Sequence, residues 1–180
     1  MQQRLPLFVY GTLVPKHGFA NFQKVLGGRV DLFAPNTDLS TKTDSDYTKA
    51  FASPFKIYHL QGFPGCKKSN ESTDVVTGAL VWPRGTDDDY QATILEADRL
   101  EKFSGKIGDP SNQYERIEID TTTEDGEIVK AYIYECLLDT SGAEQVKHGN
   151  WPLYMRENSL KDAADNWSEL NKEAQENKDI

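Results

Sequence analysis

A chain of 180 residues with a net charge of −9 and two cysteines is long enough to bury roughly 70% of its unfolded surface without a disulfide or metal. Its acidic balance excludes the electrostatic footprint of a nucleic-acid or anionic-membrane binder. No apolar run approaches the roughly 18–20 residues that span a bilayer. Cys66 and Cys136 are too few for a disulfide framework and read as free thiols of a reducing compartment. Met1–Pro6 lack the apolar stretch of a secretory signal, so the expectation is a cytoplasmic protein.

The first stretch, Leu7-Phe8-Val9-Tyr10-Gly11-Thr12-Leu13, is an apolar β-prone run ending at a glycine. Phe19, Phe22 and Leu26 follow at helical spacing, closed by Gly27-Gly28. The pattern predicts strand, tight turn, helix. The amides of Gly11, Thr12 and Leu13 would then be free to face an anion. An ordinary first strand with a glycine turn leaves the same pattern, so this stretch alone does not decide between them. Arg29–Ala34 reads as a short strand. Asn36–Ser53, polar and poor in apolar residues, reads as a surface-loop insertion.

Strand character returns at Phe55–Leu60 and leads into Gly62-Phe63-Pro64-Gly65, where Pro-Gly suits the centre of a type II turn. Val75–Trp82 is the strongest strand. Gly78 interrupts it, as at a bulge or at a place where something lies close on the sheet. Asp87-Asp88-Asp89 open a helix that runs to Phe103, with Tyr90, Ile94, Ala97 and Leu100 inward. Glu101 falls within that apolar arc, and a carboxylate facing a core needs a reason. The alternative is a surface carboxylate paired with Arg99 or Lys102.

After a Gly- and Pro-containing loop, Gln113–Thr121 and Glu127–Leu137 read as a hairpin across Asp125-Gly126. Tyr114 and Arg116 share one face, and Ile117 and Ile119 the other. Arg116 reads as a structural or solvated charge. His17, His59 and His148 are isolated and offer no metal-ligand spacing, and Cys66 has no His or acid arranged to activate it. Beyond Trp151-Pro152, Leu160, Ala163, Ala164, Trp167, Leu170 and Ala174 outline an amphipathic helix that packs on its own domain or on a partner. The domain reading is one unit over 1–152, with 36–53 inserted, and a helix and tail over 153–180.

Five pieces stand in one order: Tyr10-Gly11-Thr12-Leu13, Phe63-Pro64-Gly65, Val76-Thr77-Gly78-Ala79-Leu80, Leu100-Glu101-Lys102-Phe103 and Tyr114-Glu115-Arg116. With Gly149-Asn150-Trp151 they resemble the γ-glutamylcyclotransferase-like family, in its AIG2-like branch near the γ-glutamylamine cyclotransferases. The resemblance covers Leu7 to Trp151. It implies an α+β fold with a mostly antiparallel, barrel-like sheet, a few helices and a cavity at its mouth. It further implies Glu101 as acid/base, a substrate site at Tyr10, Gly11, Thr12, Leu13 and Tyr114, and neither metal nor cofactor. The implied reaction cyclises a small γ-glutamyl substrate to 5-oxoproline, releasing an amine or amino acid. Two alternatives keep the same residues: a binding or scaffold protein without turnover, and release of a glutamyl group in a biosynthetic pathway.

Overall fold

The computed structural model describes residues 4–11, 48–83 and 85–159. Eight strands and two helices make up this part. The strands are β1 (Leu7–Val9), β2 (Thr48–Ala52), β3 (Phe55–Leu60), β4 (Phe63–Lys68), β5 (Val76–Val81), β6 (Tyr114–Thr123), β7 (Ile128–Cys136) and β8 (Glu144–Gln145). Helix α1 spans Asp87–Leu100, and α2 covers residues 151–159.

Five strands close a barrel in the order β1-β5-β2-β6-β7, and β4-β3-β8 form a second sheet. All pairings are antiparallel except the one that closes the barrel, where β1 meets β7 in parallel at Leu7 and Tyr132. The α+β, barrel-like architecture expected from the resemblance is the one observed.

Closing so small a barrel requires small side chains inside, because five strands leave little room between opposite walls. Ala50, Ala52 and Ala131 are fully buried there beside Phe8, Leu80 and Ile133. Gly78 pairs in register with Ala50, so it makes no bulge. It is instead the close approach that the sequence raised as the other option. A Cβ at Gly78 would lie 2.4 Å from the Val9 carbonyl oxygen and 2.7 Å from Phe8 Cζ. On the opposite face of these strands, Leu7, Val9, Ala79, Val81 and Tyr134 pack against Tyr90, Ile94 and Ala97 of α1.

Helix α1 starts at a reciprocal cap. The Asp89 amide donates to Thr86 Oγ1 at 3.2 Å, and the Thr86 amide donates to Asp89 Oδ2 at 3.0 Å. Tyr90 ties the helix to the chain ahead of β1, its hydroxyl lying 3.1 Å from both the amide and the carbonyl of Leu5.

Two expectations need correction. Thr48–Ala52 is not loop but β2, a central barrel strand whose inward positions are only alanine, too weak an apolar signal to stand out. Residues 36–47 of the expected insertion lie outside the described residues, as does the helix expected after Gly11. The turn expected at Pro64-Gly65 falls instead at Gln61-Gly62, with φ of 44° and 100°, so Pro64 and Gly65 lie inside β4. Two left-handed residues suit a two-residue hairpin because their twist matches that of the flanking strands. Helix α2 begins at residue 151. Trp151 is buried in the barrel-side core, with Tyr154 and Met155 packed against it. Residues 160–180 lie outside the described residues.

The Gly78→Ala variant is expected to lose about 2 kcal/mol or more, because the clash is with backbone in a paired strand. Urea denaturation measures this, and an unchanged midpoint would show that the barrel tolerates the extra methyl.

Candidate functional site

The chain leaves β1 at Tyr10-Gly11 beside three other element ends: the last turn of α1, the start of β6 and the end of β7. Between them lies a cavity of about 250 Å³. Its lining includes Tyr10, Gly11, Pro64, Glu101, Tyr114 and Tyr134. Four residues expected from sequence at a substrate site (Tyr10, Gly11, Glu101 and Tyr114) therefore share one cavity. Thr12 and Leu13 lie outside the described residues.

Glu101 is the C-cap of α1 rather than part of its apolar face. The chain turns off the helix at Lys102, a non-glycine residue with φ of 53°. The Phe103 amide donates to the Asp98 carbonyl at 2.8 Å, and the Lys102 amide donates to the Arg99 carbonyl at 3.2 Å. These are the two bonds of a Schellman ending, with Lys102 where glycine is usual. Phe103 then plugs the core cluster under α1. The following loop is held by Asn112, which accepts from the Ser104 amide at 2.8 Å and donates to the Lys106 carbonyl at 2.9 Å. The Gln113 amide donates to the Lys102 carbonyl at 3.1 Å, which fixes the start of β6 against the helix end.

Glu101 is half-buried, and burial pushes its carboxyl up to about 7. It caps the negative end of a helix, where a carboxylate is disfavoured in the same direction. Sequence weighed a surface pairing of Glu101 with Arg99. Arg99 instead bonds Glu96 at 2.7 Å.

Three tyrosines line the cavity, and each hydroxyl is a committed donor. Tyr10 donates to the Tyr134 carbonyl at 2.7 Å, Tyr114 to the Pro64 carbonyl at 2.9 Å, and Tyr134 to Asp98 Oδ1 at 2.7 Å. Burial raises all three hydroxyls well above their ordinary range, and the Glu101 charge adds to this. They stay protonated and offer lone pairs.

Arg116 is a structural charge, as one of the two readings had it. Its Nε lies 3.0 Å from Asp98 Oδ1, and its guanidinium sits 4.6 Å from the centre of the Tyr132 ring. The Nε–H is not aligned on that oxygen, so the contact is an ion pair rather than a hydrogen bond. Asp98, 4% exposed, is pushed up by burial against the opposing pull of Tyr134 and Arg116.

Gly11 is closed by the protein itself. A Cβ there would lie 2.2 Å from Pro64 Cγ, so any larger residue would strain the packing as well as the site. Sequence reasoning missed Tyr134 and Asp98. The signal for Tyr134 was cross-strand: it faces Arg116 in the β6–β7 register, and Arg116 was already placed on the face of Tyr114. Asp98 sits three residues before Glu101, but its burial follows only from packing against β7.

No set of three or more His, Cys, Asp or Glu side chains among the described residues is placed to hold a metal ion. No described helix is long and apolar enough to cross a membrane.

Two outcomes follow from this geometry. The folded protein holds the Glu101 proton between the ordinary 4.5 and about 7, so stability falls as pH rises through that window. The full shift corresponds to about 3 kcal/mol, which partial solvent access reduces to about 1–2 kcal/mol. Glu101→Gln is therefore expected to melt above wild type at pH 8 and close to it at pH 4.5; equal melting curves at pH 8 would refute the buried charge. Lys102→Gly is expected to gain up to about 1 kcal/mol by relieving the left-handed lysine, readable as a higher urea midpoint.

The comparison with solved structures agrees on the fold. YkqA from Bacillus subtilis superposes with a TM-score of 0.58 at 16% identity, over 88% of this chain and 43% of that one. The chain thus spans less than half the length of that protein. A protein of Arabidopsis thaliana, solved in solution, superposes with a TM-score of 0.50 at 18% identity, over 90% of this chain and 86% of that one. At such identities the likeness is one of fold. No curated protein sequence matches the chain. The family model described as gamma-glutamyl cyclotransferase, AIG2-like, matches residues 7–153. The chain belongs to the AIG2-like gamma-glutamyl cyclotransferase family.

Proposed function

We propose that the protein cyclises a small γ-glutamyl compound to 5-oxoproline and releases an amine or amino acid, with Glu101 as the acid/base. The observation that carries this reading is a half-buried carboxylate, raised to about 7, lining a cavity sized for a small molecule. Family membership supplies the reaction class.

Such a reaction asks little covalent chemistry of the protein. Nucleophile and electrophile belong to one substrate molecule, and holding it folded is worth an effective molarity of roughly 10⁵–10⁸ M. The α-ammonium must first lose a proton, and Glu101 in its ionised form takes it. The neutral amine then attacks the γ-carbonyl carbon, forming the ring C–N bond and an oxyanion. Collapse of the oxyanion breaks the old amide bond as Glu101 returns its proton to the leaving nitrogen, and Glu101 then takes the second proton from the ring nitrogen and passes it to the departing amine. One of the three ammonium protons stays on the lactam nitrogen and two end on the leaving group, which departs as an ammonium. No water is consumed.

The described lining suits this charge pattern. Glu101 is its only ionisable acid or base besides the tyrosines, so the ammonium meets acceptors and no competing cation. The Gly11 amide, with those of Thr12 and Leu13 as sequence expects, serves the substrate carboxylate or the oxyanion.

The test is 5-oxoproline release from a panel of γ-glutamyl amines, γ-glutamyl amino acids and glutathione. Release from one class, reduced at least about 100-fold in Glu101→Gln, would support the assignment. Well-folded protein silent across the panel would overturn it. The acid limb of the kcat/KM profile, which reports the free enzyme, is expected near pH 7, because the working form of Glu101 is the carboxylate. An acid limb near 4.5 would point to a different base.

A further inference from the structure

We propose that Tyr134 is an additional substrate contact that accepts a hydrogen bond from the α-ammonium, and that Asp98, paired with Arg116, is the positioning residue that makes Tyr134 accept. This rests on the cyclotransferase reading above.

A tyrosine hydroxyl has one proton and two lone pairs, and its neighbours decide which of these it presents. Tyr134 lies near the end of β7 and lines the cavity, and its hydroxyl proton goes to Asp98 Oδ1 at 2.7 Å. Asp98 is 4% exposed and sits one helical turn before Glu101. A carboxylate at that depth needs a countercharge, and Arg116 supplies it at 3.0 Å on the same oxygen. Arg116 is itself held over the Tyr132 ring and, at 6.0 Å, against Phe103. The chain of contacts runs from a pinned guanidinium through a buried carboxylate to the hydroxyl of a tyrosine that lines the cavity.

The hydroxyl also lies within electrostatic reach of Glu101, whose charge helps to raise it. A cationic amine brought to Glu101 would therefore have Tyr134 beside it with only lone pairs to offer. An ammonium has three donors, and Glu101 takes one proton outright. A second acceptor holds the nitrogen still while that transfer occurs, which is the orientation that ring closure requires. The same arrangement disfavours a ligand with no amine at that place, because the lone pairs would be desolvated without a partner.

Binding to the Glu101→Gln variant of the whole 180-residue chain, which is expected to hold the substrate uncleaved, tests this by calorimetry. Two probes are compared: γ-glutamylbenzylamine and its desamino counterpart, glutaric acid monobenzylamide. Adding Tyr134→Phe keeps the ring and its packing, and is expected to weaken the amine-bearing probe about tenfold while leaving the desamino probe unweakened or bound more tightly. Adding Asp98→Asn is expected to do the same, because its amide NH₂ can turn to donate to the Tyr134 oxygen and so send the hydroxyl proton into the cavity. Equal losses for both probes, or no loss for either, in Tyr134→Phe would overturn the proposal, and a selective loss in Tyr134→Phe that folded Asp98→Asn does not share would overturn the positioning role of Asp98. The cyclotransferase reading is judged separately, by 5-oxoproline release from the wild-type chain. If that release is seen and the probes do not discriminate, only the role of Tyr134 falls. If neither release nor binding is seen, both fall.

Discussion

The end of α1 is the constraint on which the site depends. A helix leaves its last carbonyls unpaired, and here Phe103 and Lys102 satisfy two of them by turning the chain back on itself. That turn places Glu101 at the one position where the backbone leaves the helix but has not yet reached solvent. Phe103 anchors the turn in the core, and the tie from Gln113 to Lys102 brings β6 alongside. The half-burial that results raises the affinity of the carboxyl for a proton.

The barrel supplies the other half. β1 and β7 pair in parallel at a single point, and the chain beyond β1 faces the end of β7. The Tyr10 hydroxyl crosses that junction to the Tyr134 carbonyl, and Tyr114 reaches across to Pro64 in the second sheet. These bonds stiffen the wall and leave the hydroxyls as acceptors. Architecture and electrostatics are coupled: the bonds that close the fold around the cavity also set what the cavity offers a ligand.

Much of this was legible residue by residue. β3 runs over the residues that its alternation marked, and β5 and the β6–β7 hairpin lie within a residue or two of theirs, because strands packed on both sides or alternating across one face carry strong patterns. The ordered set of short motifs pointed to the family, and Glu101 stood out as a carboxylate where the helical wheel called for an apolar residue. β2 was hidden by its alanines, which are small because the barrel is narrow. The β3–β4 turn was misplaced because Pro-Gly is a strong local signal, yet the register of that hairpin, from Leu60 opposite Phe63 through Phe55 opposite Lys68, overrode it.

The sequence by itself determined β3, β5, the β6–β7 hairpin, the helix that leads to Glu101 and the faces of β6. Each of these is written in a local period or in the chemistry of one residue. Only the tertiary structure decided that Glu101 is a C-cap, that Asp98 is buried between Tyr134 and Arg116, and that Pro64 closes over Gly11. These depend on which distant residues arrive at the same place, and the raised carboxyl of Glu101 depends on how much water they displace. Burial and register are properties of the assembled barrel, set by side-chain volume and strand pairing over separations that no local pattern encodes.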